Sequence, residues 1–226
     1  NSDYKNRDWK SGLNQPEYFP DDGYAIVGTE DAAIMGYLKQ FNALVVVKEE
    51  TNVDATMYLR TASIMDDGTS VYPIEQGLVG VGARSKYAFG VIADDPVFLS
   101  QNGLYGIETN NITYQRSTQL RSYFVNVSLT KEGNLDTAHA AVWGRFYCLF
   151  INNRVYVANA QQLNKNQTGG IGYEWYLWDN IPARCSREFD GDLYFGTSDG
   201  DVCKFTPNEY YDKGESYTCR WSTKMD

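Results

Sequence analysis

Carboxylates are the residues in this chain most able to do chemistry. The stretch FDGDLYFGTSDGDVCKF, Phe189 to Phe205, carries Asp190, Asp192, Asp199 and Asp201, with Glu188 just before it. Such a set could hold a divalent cation, supply the acid pair of a glycoside hydrolase, or close hairpin turns. A calcium loop needs a D-x-[DN]-x-[DN]-G spacing followed by a glutamate, and that spacing is missing. A glycoside hydrolase needs only two carboxylates at a set separation, so Asp94, Asp95, Glu188, Asp190 and Asp192 are candidates. Turns fit better. Asp190-Gly191 and Asp199-Gly200 pair a short polar side chain with glycine, which readily takes the positive φ of a tight hairpin. Asp21-Asp22-Gly23, Asp66-Asp67-Gly68 and Asp94-Asp95-Pro96 read the same way.

Other chemistry lacks its parts. His139 is the single histidine, in DTAHAAVWG, and no nucleophile motif accompanies it. The GxSxG, P-loop and dinucleotide signatures are absent. Cys148, Cys185, Cys203 and Cys219 show no CxxC spacing, and one histidine does not complete a zinc set. Two disulfides have three possible connectivities, but Cys148 in FYCLF and Cys203 in DVCKF read as small apolar strand residues. Sequons occur at Asn111, Asn126 and Asn166. No cofactor and no metal is implied, and the chain reads as a non-enzyme.

The aromatics are the other feature. YEWYLWDN places Tyr173, Trp175, Tyr176 and Trp178 close together. On a strand Trp175 and Leu177 face one way, and Tyr176 and Trp178 the other. Packing between sheets is the plain use; whatever is exposed would suit a protein interface, where Trp and Tyr carry much of the binding energy, or sugar stacking. These four residues are the candidate interaction surface. Trp9, Trp143 and Trp221 lie in strand-like runs and are expected in the core.

The totals narrow the class. The 226 residues suffice for one large all-β domain, 1–226, and no compositional shift divides them. A formal charge of −9 argues against a basic patch for nucleic acid. No apolar run approaches a membrane span. The polar opening NSDYKNRDWK lacks a signal peptide's apolar core and an initiator Met, which suggests a piece of a longer protein.

Helix periodicity is weak and strand signals recur. Four hairpins align: Leu44–Lys48 with Thr56–Arg60, Val97–Ser100 with Leu104–Ile107, Phe146–Ile151 with Arg154–Ala158, and Leu193–Gly196 with Val202–Phe205. Their turns, near Thr51, Asn102, Asn152 and Asp199, lie 51, 50 and 47 residues apart. A strand-built period of that size is the signature of a β-propeller, whose blades bury one another's faces around an axis. Ser63–Val81, Thr130–Asp136 and Gln161–Gly172 read as connecting loops. RDWKSG and SYTCRWSTK each read as one strand of a further blade, which gives about five blades closed by the two chain ends.

These segments carry a resemblance. NRDWKSGLNQPEYFPDDGYAIVG, IMGYLKQFNALVVVKEE, DDPVFLSQNGLYGI, FDGDLYFGTSDGDVCKF and SYTCRWSTK, in that order, resemble a family of bacteriophage and prophage virion proteins described as structural, tail-associated or DNA-stabilisation proteins. The resemblance implies a propeller building block in the tail or at the head–tail junction of a virion. Its partners would be other virion proteins or copies of itself. The second expectation is a carbohydrate-binding or glycoside-hydrolase-like five-bladed propeller, since that fold hosts sugar-cleaving enzymes and the chain is rich in acids and aromatics.

Overall fold

The computed structural model describes residues 4–12, 14–51, 53–68, 70–109, 115–165, 170–206, 211–212 and 214–220. Within them the chain is all-β, a succession of antiparallel sheets. A two-stranded pair comes first, β1 (Arg7–Trp9) against β2 (Tyr24–Ile26). Sheet 1 holds β3 (Ile34–Gln40), β4 (Ala43–Lys48) and β5 (Met57–Thr61). A small pair, β6 (Ser63–Ile64) with β7 (Ser70–Val71), follows before β8 (Ile74–Gln76) joins sheet 1 beside β5. Sheet 2 is β9 (Phe89–Ile92), β10 (Asp95–Ser100), β11 (Gly103–Thr109) and β12 (Arg116–Leu120). Helix α1 (Asn126–Lys131) and a 3-10 turn (Leu135–Thr137) lead to sheet 3: β13 (His139–Trp143), β14 (Phe146–Ile151), β15 (Arg154–Lys165) and β16 (Ile171–Trp178). Sheet 4 has three strands, β17 (Ala183–Phe189), β18 (Asp192–Thr197) and β19 (Val202–Lys204). A last pair, β20 (Tyr211–Asp212) with β21 (Glu215–Ser216), ends the described chain.

Each large sheet is an antiparallel meander, and its strands pair in chain order, with the β6–β7 pair set between β5 and β8 of sheet 1. The four expected hairpins are β4–β5, β10–β11, β14–β15 and β18–β19. Their turn chemistry follows the residues. Asn152 and Asn153 both take positive φ, and so do Asp190 with Gly191 in the β17–β18 turn. Strands of the middle sheets have both faces covered, which is why FYCLFI and DPVFLS read as unbroken apolar runs rather than alternating ones.

The sheets pack in chain order. First strands lie against one another, β3 on β9, β9 on β13 and β13 on β17. Four apolar clusters fill the seams. Val27, Val46, Ala55 and Tyr58 join the N-terminal pair to sheet 1. Leu38, Val45, Val47 and Met57 meet Phe98 and Ile107 at the seam of sheets 1 and 2. Leu99, Leu104, Leu129, Leu149 and Tyr156 close the seam of sheets 2 and 3. Phe150, Val157 and Leu193, with Trp178 and Phe205 beside them, close that of sheets 3 and 4.

Several expectations need correction. Ser63–Val81 is not a plain link, because β8 within it completes sheet 1. Gln161–Lys165 is strand and not loop, since β15 runs on to Lys165 and pairs with β16 as far as Ile171. Thr130–Asp136 holds the end of α1 and the start of the 3-10 turn; six helical residues are too few to print an amphipathic pattern, and Leu129 alone anchors them in the core. RDW pairs with Tyr24–Ile26, and among the described residues it does not pair with the C-terminal segment. The sequons at Asn111 and Asn166, and Trp221, lie outside the described residues. Trp9 is 38% exposed and packs on Tyr24, so it is a surface residue.

Candidate functional site

Charged and phenolic groups concentrate at the seams. The third strands of sheets 1, 2 and 3 carry Tyr58, Tyr105 and Tyr156 at matching register, opposite Val46, Phe98 and Leu149. Each packs in the cluster shared with the preceding unit. Tyr58 and Tyr156 hydrogen-bond a carboxylate, Asp54 and Glu132, while Tyr105 feels the charge of Glu50.

At the first seam, Tyr58 donates to Asp54 Oδ1 at 2.8 Å, while the amides of Thr29 and Ala55 add two more hydrogen bonds at 2.7 Å. Lys48 is fully buried. Its ammonium donates to the carbonyls of Val27 and Thr29 at 2.9 and 2.7 Å and stands 3.8 Å from Asp54. Gly28, at φ +56°, makes this possible: a Cβ there would lie 2.1 Å from Asp54 and 2.9 Å from Lys48 Nζ. Burial pulls the Lys48 pKa down against the opposing charges of Asp54 and Asp31. Burial and the hydrogen bond to Asp54 push the Tyr58 phenol up to about 12.

The seam of sheets 2 and 3 is the most heavily bonded. Glu132 accepts from Tyr156 at 2.9 Å, Asn152 at 3.1 Å and Arg154 at 2.7 Å. Burial opposes its charge, but these three donors outweigh it and hold the carboxyl below its usual range. On the same seam Arg121, with a side chain 4% exposed, grips Asp95 through Nε and Nη2 at 2.7 and 3.1 Å. Its Nη1 reaches Glu108 at 2.8 Å and the Ile171 carbonyl at 3.0 Å. Tyr173 donates to Asp95 as well, and Trp175 Nε1 donates to the Arg121 carbonyl. Burial works against the guanidinium, yet Asp95 and Glu108 raise its pKa above the ordinary value.

The seam of sheets 1 and 2 is different. Gln40 bridges it, donating to the Ile107 carbonyl and accepting from Arg116, both at 2.8 Å. At the turn end the space stays open as a cleft of about 270 Å³, lined by Glu49, Glu50, Thr51, Ala83, Arg84 and Gln101. Its floor is tight: Glu49 and Ala83 form a parallel bridge, and Gly82 lies so close to Glu50 that a Cβ would sit 2.3 Å from the Glu50 amide. Among the described residues the Glu50 carboxylate takes one hydrogen bond, from Ser100 Oγ at 3.2 Å, and no ion pair. Burial, then the charge of Glu50, raises the Tyr105 phenol.

The sequence candidates divide accordingly. Tyr173 is 3% exposed and belongs to the Arg121 network, so it is not part of an interaction surface. Trp175 is half-buried against the same seam, and Trp178 packs on Phe205 with ring centroids 5.2 Å apart. Tyr176, 46% exposed with its hydroxyl on Gln162, is the one member that faces solvent. The acids do not converge. Asp94, at φ 67°, shapes a turn with Ala93, and Asp95 opens β10 and binds Arg121. Asp192 pairs with Lys204 at 2.7 Å, and Glu188 accepts from the Gly191 amide at 2.8 Å. Among the described residues no three His, Cys, Asp or Glu side chains gather as a metal site, and all four cysteines are unpaired. His139 opens β13 and stacks on Phe150 at 5.0 Å; burial pushes its pKa down to about 4. No helix among the described residues is long and apolar enough to cross a membrane.

The cleft and Arg121 were missed by sequence reasoning. Glu49-Glu50 sits in the KEETN turn and looks like ordinary turn polarity. The signal that could have found it is the repeated third-strand tyrosine, read against the carboxylate each one meets. No family model and no curated protein matches the chain.

Proposed function

We propose that this chain is a non-enzymatic scaffold, a β-propeller of about five blades that serves as a protein–protein interaction module in a phage or prophage virion. The observation that carries the reading is how the chemistry is used. Asp54, Lys48, Asp95, Glu108, Arg121 and Glu132 are engaged in ion pairs and hydrogen bonds within and between neighbouring sheets. Four sheets in chain order, touching through their first strands, support the propeller, and the N-terminal pair would supply part of a fifth blade. The ordered resemblance to virion segments supports the setting, in the tail or head–tail region. Antibody against the chain, applied to intact particles and viewed by electron microscopy, tests it. Label at the tail or head–tail junction is expected; particles that contain the chain nowhere would overturn the reading.

The second reading is a carbohydrate-binding or sugar-cleaving propeller. The observation in its favour is the placement of Glu49 and Glu50 in one cleft. Glycan arrays and hydrolase assays separate it from the first, because a scaffold turns over none of the sugars.

A further inference from the structure

The two hairpins that flank the seams of sheets 2 and 3 superimpose in register. Ser100 and Gly103 close the β10–β11 turn as Ile151 and Arg154 close the β14–β15 turn. Gln101 therefore corresponds to Asn152, and Tyr105 to Tyr156. In sheet 3 the position after the turn is Arg154, and its guanidinium sits 2.7 Å from the seam carboxylate Glu132. In sheet 2 the same position is Gly103. It cannot carry a side chain, because a Cβ would lie 2.0 Å from Asn126 Oδ1 and 2.6 Å from Ser122 Oγ, and its φ is +131°. Glu50 thus lies within electrostatic reach of Tyr105, accepts from Ser100 in place of a phenol, and lacks the cation. Arg84 lines the cleft but forms no ion pair with Glu49 or Glu50 among the described residues.

We propose that the cleft between sheets 1 and 2 receives a basic side chain from a partner protein, which docks against Glu50 as Arg154 docks against Glu132. This rests on the scaffold reading and names the chemistry of its partner. The size agrees: about 270 Å³ is too small for a typical drug-sized ligand and suits the end of one arginine or lysine. The charge agrees as well, since two glutamates and one arginine line the cleft in a chain of net charge −9. Arginine fits best, because its planar fork can bind one carboxylate while a second N–H meets Gln101 or Thr51.

The test is an amide NMR titration of the whole chain with the peptide Gly-Arg-Gly-Arg-Gly, and with Gly-Gln-Gly-Gln-Gly as the neutral counterpart. Saturable shifts confined to residues 49–51, 83–84 and 101–105 are expected with the arginine peptide alone. Glu50→Gln should weaken binding at least tenfold. Gln101→Arg, which supplies the cation from within, should abolish it. The double change Asp21→Asn, Asp22→Asn lowers the total negative charge away from the cleft and should leave it intact. Shifts spread over the surface that survive Glu50→Gln would overturn the proposal, as would no shifts at all. Glucose or another neutral sugar moving the same amides while the peptide does not would overturn it in favour of the sugar reading. Particle labelling is read separately, so a chain absent from virions yet specific for the arginine peptide would sink the virion setting alone.

Discussion

The seams on either side of sheet 2 use one plan and reach different ends. Both place a third-strand tyrosine against the preceding unit, and in both a glutamate acts on the phenol, through a hydrogen bond at Tyr156 and through charge at Tyr105. Behind sheet 2, toward sheet 3, Glu132 is closed off by Asn152, Arg154 and Tyr156, and Arg121 adds a buried ion network nearby. In front of it, toward sheet 1, Glu50 has Ser100 and an open cleft. The lesson is that a repeat conserves geometry more strictly than charge. Replacing one arginine by glycine at a hairpin's third position turns a sealed joint into an accessible anion.

The largest way to break the contrast is to remove Arg121. Arg121→Met should destabilise the chain by about 3–5 kcal/mol, because Asp95 and Glu108 keep their charges without the cation between them. Urea unfolding reads this, and a loss well below that range would show the network to be marginal. Acid should come next and act on the other side of sheet 3, where His139 stacks on Phe150. His139 has a folded pKa near 4, below the ordinary 6.5, so the unfolded chain takes up the proton first. Its contribution is fully present above about pH 6.5 and is lost as the pH falls toward 4. Melting temperatures between pH 7 and pH 5 should fall for the native chain and stay flatter for His139→Phe. Hydrogen exchange at pH 5 should open β13 before β3.

Two paired substitutions sharpen the comparison at smaller scale. Tyr156→Phe should cost about 1 kcal/mol, the usual net worth of a satisfied hydroxyl. Tyr105→Phe should cost less or stabilise slightly, since its phenol is partly buried and feels the charge of Glu50 without a hydrogen bond to it. Equal losses at the two positions, measured by denaturant midpoint, would erase the distinction between the seams. Arg154→Ala should have the smallest effect on stability, as its guanidinium is largely exposed. Its signature is instead the Glu132 carboxyl, whose titration by carbon NMR should move up toward the ordinary range.

Much of the architecture was legible because it is local. Hairpins are written in short apolar runs and in turn residues such as Asn152-Asn153, and the period follows from their spacing. The roles of Tyr173 and Asp95 were not legible, since they lie 78 residues apart and meet only when sheets 2 and 3 pack. Asp95 in particular reads as half of a turn beside Asp94, yet its carboxylate holds a buried guanidinium. The fourth strand of sheet 1 was hidden for another reason: IEQ is too short and too polar to announce a strand, and it forms because β5 offers it an edge. The cleft escaped notice because a pocket between two sheets has no signature in either one.

Each seam tyrosine looks back toward the part of the chain made before it. Tyr58 packs on Val27, Tyr105 beside the cluster of sheet 1, and Tyr156 in the cluster shared with sheet 2. Among the described residues no meander borrows a strand from a later sheet. A ribosome releasing this chain would thus deliver each joint complete soon after the newer sheet emerges. The molecule can be assembled in the order of its synthesis, each finished sheet serving as the template against which the next one settles.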